Sequence, residues 1–343
     1  MDSVCAAEVI AFTAGDGFPL NLHHFPPSAP GPSDPVLVLH GAGVRANIFT
    51  PPVAQTFVDA LREAGFDVWL LNWRASIDLP PNEWTLEDAA VFDHPAAVRT
   101  VLERTGKTSL KAVIHCQGST SFMMAAVAGL LPAVSLIISN AVSLHPVVPA
   151  LAYLKSRYMT NSVGRFMTYL NPQWGLSAPL GWPSVIDFYV RALHHECNNP
   201  VCKQSSFTFG AGFPTLWRHE NLDADTHEWI KGEFAHVPMT FFREMNRCIL
   251  AGVLVSSGKH PELPRVFDAQ APKTDARFVF LAGQNNQCFK PESQQRSFDY
   301  CDRHAPGRHA LYELSGYGHL DVFIGKAAAQ DNFPLIIDEL RRA

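Results

Sequence analysis

Three short runs of almost unbroken apolar residues, Val36-Leu37-Val38-Leu39, DVWLLNW (67–73) and KAVIHC (111–116), each pass through a turn into a stretch with helical patterning. A strand with one face in water alternates apolar and polar residues, so a strand without alternation must be buried on both faces. The repeated strand-turn-helix order therefore predicts a mostly parallel sheet with helices on both faces. The helices are expected from about Thr56 to Ala64, stopped by Gly65, then over DAAVFDHPAAVRTVLERTG, and then over GSTSFMMAAVAGLL. VSLIISN (134–140) adds a further strand. Upstream, EVIAFTA and FPLNLHHF flank the turn Gly15-Asp16-Gly17 and read as an antiparallel entry, followed by the connector PPSAPGPSDP.

From about Ser143 to Asp268 the alternation stops, and the sequence becomes rich in aromatics, with Trp174, Trp182, Trp217, Trp229, Phe241 and Phe242. It resumes with RFVFLAG (277–283), a helix near 291–303, the strand HALYEL (309–314), the loop SGYGH and a final helix to Arg342. An insertion of roughly 125 residues between consecutive sheet strands is too long for a plain loop and reads as a helical cap after the sixth strand. The expected organisation is a core in residues 1–142 and 269–343 with a cap in residues 143–268. Trp174, Trp182 and Phe241 are expected to contact an apolar substrate beneath that cap.

The 27 Lys and Arg against 32 Asp and Glu, without a basic run, argue against nucleic acid as a partner. The N-terminus MDSVCAAEVIAF lacks a positive region followed by an apolar core, and no apolar stretch extends for ~18 residues. A cytoplasmic protein without a membrane span is expected. The cysteines, at 5, 116, 197, 202, 248, 288 and 301, are odd in number and scattered, which suits reduced thiols better than a disulfide framework.

The turn Ile114-His115-Cys116-Gln117-Gly118 has the layout of the nucleophile elbow, G-x-S-x-G, with Ile in place of the first Gly and Cys in place of Ser. That layout belongs to the α/β-hydrolase fold, in which the nucleophile sits on a tight turn at a helix N-terminus. The positive end of the helix dipole would favour a thiolate at Cys116. His40-Gly41-Ala42-Gly43 follows an earlier strand where this fold supplies an oxyanion donor, so the N–H groups of Ala42 and Gln117 are the expected pair. His319, in the loop after the last strand, occupies the place of the general base. No carboxylate occurs after RFVFLAG before Glu292, and the strand VSLIISN ends in Asn140. Asn286 has the spacing of the missing acid, giving Cys116-His319-Asn286 as the expected constellation. A Cys–His pair can rest as thiolate and imidazolium, so a neutral amide can suffice as orienter.

Other patterns point elsewhere less forcefully. GAGVRA fits a weak dinucleotide fingerprint, but the next strand ends in Asn72 and Trp73 without the acidic residue a ribose needs, so no cofactor is expected. His194, His195, Cys197 and Cys202 cluster in sequence, yet C-x4-C is not a familiar zinc spacing and no second ligand pair lies nearby. Packing or a thiol pair within the cap is the expected reading, with no metal. Cys288 is expected to pack under the site, and Asp93-His94-Pro95 to act as a local capping or kink device.

HGAG, LNWRAS, DHPAA, HCQGS, ECNNPVC, LWRHENLDADTH, NNQCFKPES and GYGHLDVFIGKAA, spread from about Pro35 to Pro334, carry a resemblance. The chain resembles the α/β-hydrolase domain that accompanies glucose-methanol-choline oxidoreductases of the cholesterol-oxidase type. It is more distantly similar to polyhydroxyalkanoate synthases, which also place Cys at the elbow, and to acid lipases. The resemblance implies a hydrolase-like fold with a Cys elbow, and a chain that stands alone or pairs with a separate flavin oxidoreductase. The expected chemistry is hydrolysis of an ester, thioester or lactone of a lipid- or steroid-like substrate through a Cys116 acyl-enzyme. Acyl transfer, a non-hydrolytic reaction such as C–C cleavage, isomerisation or cyclisation, or an idle partner of an oxidoreductase are the alternatives.

Overall fold

The computed structural model describes residues 7–342, so Cys5 and the start of the N-terminal stretch lie outside the described residues. The strands in chain order are β1 (Glu8–Thr13), β2 (Pro19–Phe25), β3 (Pro35–Leu39), β4 (Asp67–Asn72), β5 (Leu110–His115), β6 (Val134–Asn140), β7 (Tyr169–Leu170), β8 (Val237–Pro238), β9 (Arg277–Gly283) and β10 (Ala310–Leu314). Among the described residues, eight of them form one sheet in the order β1-β2-β4-β3-β5-β6-β9-β10. β1 pairs antiparallel with β2 and β2 with β4, and every later pairing is parallel. Every residue of β3 and β5 is buried, which is what their lack of alternation requires.

Local chemistry fixes the helices that cover the sheet. Helix Phe57–Glu63 starts on a capping box, the Thr56 hydroxyl accepting the Asp59 N–H at 3.1 Å while the Asp59 carboxylate accepts the Thr56 N–H at 3.1 Å. Further on, the helical turn Ala89–Asp93 widens to π-type geometry before helix His94–Thr105. Pro95 removes a backbone donor at that point, so the Asp93-His94-Pro95 segment does interrupt the regular ladder.

The wide turn delivers Asp93, fully buried, to Arg74 just beyond β4. The carboxylate accepts the Arg74 backbone N–H at 3.0 Å, Nε at 2.9 Å and Nη2 at 2.6 Å. A second carboxylate, Asp16, reaches the same guanidinium at 3.1 Å from the β1–β2 turn. Beside this pair, Trp73 Nε1 donates to the His40 carbonyl at 2.9 Å and Gly43 N–H to the Ala75 carbonyl at 3.1 Å. The loop after β4 thereby holds the His40-Gly41-Ala42-Gly43 turn in place.

Between β6 and β9 the chain forms helices Ala150–Val163, Trp182–Leu193, Pro200–Phe209 and Met239–Ala251, with β7 and β8 joined in a small antiparallel ribbon. Trp174 packs with Leu170 and Met239 in an apolar cluster of its own there.

Replacing Asp93 by Ala would leave Arg74 buried with only the half-exposed Asp16 as partner, and should cost about 3 kcal/mol of folding stability. Urea denaturation of Asp93→Ala against the parent measures this. A loss below about 1 kcal/mol would show that Asp16 alone suffices.

Candidate active site

β5 ends at His115 in extended geometry, Cys116 turns to φ +54°, and helix Cys116–Val127 begins at that residue. A non-glycine side chain in the left-handed region is unfavourable, so this turn persists because its surroundings impose it. Those surroundings are backbone. A Cβ on Gly118 would lie 2.3 Å from the His40 carbonyl oxygen, and a Cβ on Gly41 would lie 2.9 Å from Cys116 Cβ and 3.2 Å from its sulfur. The two turns interlock only because both positions carry no side chain. The Ala42 N–H forms no hydrogen bond among the described residues. Gln117 belongs to the first helical turn, where a backbone N–H has no intrahelical acceptor. Two unpaired donors thus flank the thiol, as the sequence leads one to expect.

The loop after β10 brings His319. Its backbone N–H donates to the Leu216 carbonyl at 3.0 Å, and Asp321 accepts the Gly318 N–H at 2.9 Å and Asn221 Nδ2 at 2.7 Å. A ring nitrogen of His319, one of His115 and the Cys116 sulfur all lie within 4.8 Å of one another, and all three residues are buried. The rings of His115 and His319 are 4.9 Å apart. His115 Nδ1 donates to Asn140 Oδ1 at 2.9 Å across the β5–β6 pair, and burial pushes its pKa down to about 4.

Burial alone would raise the Cys116 thiol. The neighbouring Cys288 thiol and His319 imidazole more than offset this, and hold it well below the ordinary thiol range. Burial and the neighbouring Cys116 push Cys288 the other way, well above that range. Cys288 is buried, donates to the Phe209 carbonyl at 3.6 Å and lines the space beside Cys116.

Asn286 departs from expectation. It is buried, but its Oδ1 accepts the N–H groups of Cys288 at 2.9 Å and Phe289 at 3.1 Å. It makes no hydrogen bond with His319, whose buried Nδ1 finds no partner. An Asn in an irregular loop readily satisfies backbone N–H groups two and three residues on, and spacing along the sequence could not reveal that.

A narrow, mostly apolar cavity of about 20 Å³ touches Cys116, Ala42 and His319 and is lined also by Phe209, Trp217 and Phe234. A second space of about 70 Å³ runs from Cys116, Gln117 and Cys288 past Phe241 and Lys155. It shares Lys155, Thr160, Thr208 and Phe242 with a cavity of about 480 Å³ among helices Ala150–Val163, Trp182–Leu193 and Met239–Ala251. Trp182 lines the large cavity and Phe241 the neck, but Trp174 lines none of the three, because its ring is taken up by the Leu170 and Met239 cluster. Lys155 stands at the junction. It donates to the carbonyls of Phe207, Thr208 and Gly210 at the end of helix Pro200–Phe209, and burial pushes its pKa down to about 7.

Residues 34–173 match the family model described as alpha/beta hydrolase fold. A thermostable carboxyl esterase from Bacillus coagulans, solved with glycerol, superimposes with a TM-score of 0.61 at 13% identity, covering 99% of each chain. The chain has the α/β-hydrolase fold. Among curated sequences it is 30% identical over 131 residues to sterol esterase 2 of Saccharomyces cerevisiae, 33% of this chain and 24% of that one. It is 28% identical over 122 residues to the human lysosomal acid lipase/cholesteryl ester hydrolase, 31% of each. These matches span a third or less of the relatives' own length. Among the described residues no helix is long and apolar enough to cross a membrane.

Because the Cys116 thiol is held low, its thiolate should persist below the ordinary thiol value of about 8.5. Alkylation of Cys116 by iodoacetamide should stay near its plateau rate as pH falls from about 9 to about 7 and decline only below that, with Cys288 unlabelled throughout. Peptide mapping at each pH reads this out. Faster labelling of Cys197 or Cys288, or a Cys116 rate that climbs tenfold per pH unit near pH 8, would contradict it.

Proposed function

We propose that this protein is an acyl hydrolase that uses Cys116 as nucleophile and His319 as acid and base on an ester, thioester or lactone of a lipid-like substrate. The observation that carries this reading is the Cys116 sulfur, on a left-handed turn at a helix N-terminus, within 4.8 Å of a His319 ring nitrogen and beside a narrow space that shares four lining residues with a large apolar cavity. Exposed apolar side chains, Phe166, Trp182 and Val185 among them, line that cavity. The yeast and human relatives are named as a sterol esterase and a cholesteryl ester hydrolase, which agrees with an ester of a bulky apolar group.

In this reading the thiolate attacks the acyl carbonyl carbon, and the oxyanion accepts the N–H groups of Ala42 and Gln117. His319, protonated in the resting pair, gives its proton to the departing alkoxide or thiolate as that bond breaks. Water then adds to the thioester, His319 takes its proton, and the Cys116 thiolate leaves. Asn286 contributes by shaping the loop that holds Cys288 against the nucleophile, and the group set against the His319 ring is His115, fixed as a neutral tautomer by Asn140. Phe241 and Trp182 would contact the acyl or alcohol chain in the neck and the cavity.

Acyl transfer is the second reading, favoured by one observation: the space beside Cys116 and His319 is only about 20 Å³ and apolar-walled, which would keep water from a thioester. Pairing with a flavin oxidoreductase rests on motif resemblance alone and ranks below both.

Exposure to p-nitrophenyl octanoate should give an octanoyl adduct at Cys116 in intact-mass and peptide spectra, and Cys116→Ala should lower turnover by about a thousandfold. An adduct on another residue, or full turnover in Cys116→Ala, would overturn the mechanism. Val185→Trp, which fills the large cavity away from the thiol, should lower kcat/KM for dodecanoyl esters about tenfold relative to butanoyl esters.

A further inference from the structure

The segment between helix Trp182–Leu193 and β8 gathers two cysteines and two histidines that no step above uses. Cys197 lies in the loop before helix Pro200–Phe209 and Cys202 in its first turn, while His219 and His227 come from the stretch that follows it, His227 on helix Ala224–Trp229. One ligating atom from each of the four lies within 4.8 Å of every other. Sequence spacing failed here because His219 stands 17 residues beyond Cys202, and only the fold of the intervening loop supplies the second ligand pair.

We propose that Cys197, Cys202, His219 and His227 form a structural zinc site. Two thiolates and two imidazoles are the ligand set that selects Zn²⁺ over harder divalent ions. With Zn–S of about 2.3 Å and Zn–N of about 2.0–2.1 Å, tetrahedral coordination sets sulfur and nitrogen about 3.6 Å apart. Cys202 Sγ and His219 Nε2 stand 3.4 Å apart. The two histidine rings face edge to face with centroids 4.9 Å apart, and His227 Nε2 is buried without a hydrogen-bond partner. A bond to a cation is what that orphaned nitrogen lacks.

The surrounding groups already hold the ligands. Asn199 accepts the N–H groups of Val201 and Cys202 at 3.0 and 3.1 Å and donates to the His227 carbonyl at 2.5 Å, joining the start of one ligand-bearing helix to the other. His194, fixed by a 2.7 Å hydrogen bond from Nδ1 to the Gly212 carbonyl, presents Nε2 to the Cys197 sulfur at 3.7 Å, in the manner of an outer partner to a metal thiolate. On binding, each thiol releases one proton to solvent and no electron moves, leaving a neutral Zn(Cys)₂(His)₂ centre suited to a half-buried position. With four protein ligands and no open place, the site is one of structure rather than catalysis.

Its position explains what it would stabilise. Leu216 and Asn221, on the chain leading into and just past His219, hold the His319 loop through the Leu216 carbonyl and the Asn221 side chain, and Phe209 at the end of the other zinc-bearing helix walls the Cys116 cavity. A zinc ion would tie the two walls of the catalytic pocket together. The assignment stands independently of the acyl chemistry proposed above, and so does its test.

Elemental analysis of the full chain, expressed with zinc in the medium and desalted, should find about one zinc per chain. Cys202→Ser and His227→Ala should each reduce this by about tenfold or more, while Cys116→Ser should retain it, since that thiol belongs to the other cluster. Because a ligand variant can misfold, the parent protein stripped by chelator and given Co²⁺ supplies the second measurement. It should show the ligand-field and thiolate charge-transfer bands of tetrahedral cobalt. Absence of both zinc and the cobalt bands would overturn the proposal, as would zinc lost in Cys116→Ser but kept in the ligand variants. A Cys197–Cys202 disulfide in unreduced peptide maps would overturn it as well.

Discussion

The contact on which the site rests is between two turns, the His40 carbonyl against Gly118 and Gly41 against the Cys116 side chain. Steric exclusion leaves no tolerance there, since a single methyl group at either glycine would fall inside van der Waals distance. The features that hold this contact lie outside it. Trp73 anchors the His40 carbonyl from one side, and the Arg74–Asp93 pair fixes the loop that carries Trp73. Asp93 reaches Arg74 because the helix widens ahead of Pro95. A widened turn in a helix remote from Cys116 thereby helps to determine where a backbone carbonyl stands, and so how the Cys116 turn meets the His40-Gly41-Ala42-Gly43 turn.

Parts of this arrangement were legible in the sequence for a definite physical reason. Strands buried on both faces, such as Val36-Leu37-Val38-Leu39, carry their burial in their composition, and a nucleophile elbow is a local structure whose residues adjoin one another. Cys116, Gln117, Ala42 and His319 could therefore be named from pattern and chain order. What pattern could not deliver was choice among hydrogen-bond partners. Asn286 sits at the right spacing yet turns its oxygen to its own loop, and the energetic preference of an Asn for nearby backbone N–H groups exceeds anything a distant imidazole offers across an irregular loop. Trp174 failed similarly: an aromatic in a cap satisfies itself as readily against its neighbours as against a cavity.

The Cys197, Cys202, His219 and His227 grouping is illegible for a third reason. Each ligand pair on its own has an unfamiliar spacing, and proximity arises only when the loop after helix Pro200–Phe209 doubles back. Long-range convergence of chemically related side chains is the information that a fold adds to a sequence. It is also why residues 143–268, the stretch least patterned in sequence, hold both an apolar cavity of about 480 Å³ and a cluster with no role in the proposed reaction.

The absence of a carboxylate beside His319 finally bears on why a cysteine stands at the elbow. A serine hydroxyl has to lose its proton during attack, and the imidazolium so formed needs an anion beside it to be accessible in a buried site. Here the groups around the imidazole are the neutral His115, held by Asn140, and Phe289, so a serine in place of Cys116 would create an uncompensated buried cation at each turnover. In the proposed mechanism a thiol removes that difficulty, because a thiolate is itself the counter-ion of an imidazolium and such a pair can form before substrate arrives. The Cys288 thiol, pushed toward its neutral form, lines the same space as Cys116 without adding charge there. In the proposed mechanism the cysteine, the unpaired His319 Nδ1 and the second thiol are then a single solution: charge is balanced within the catalytic pair, and the loop after β9 is left to hold Cys288 rather than an acid.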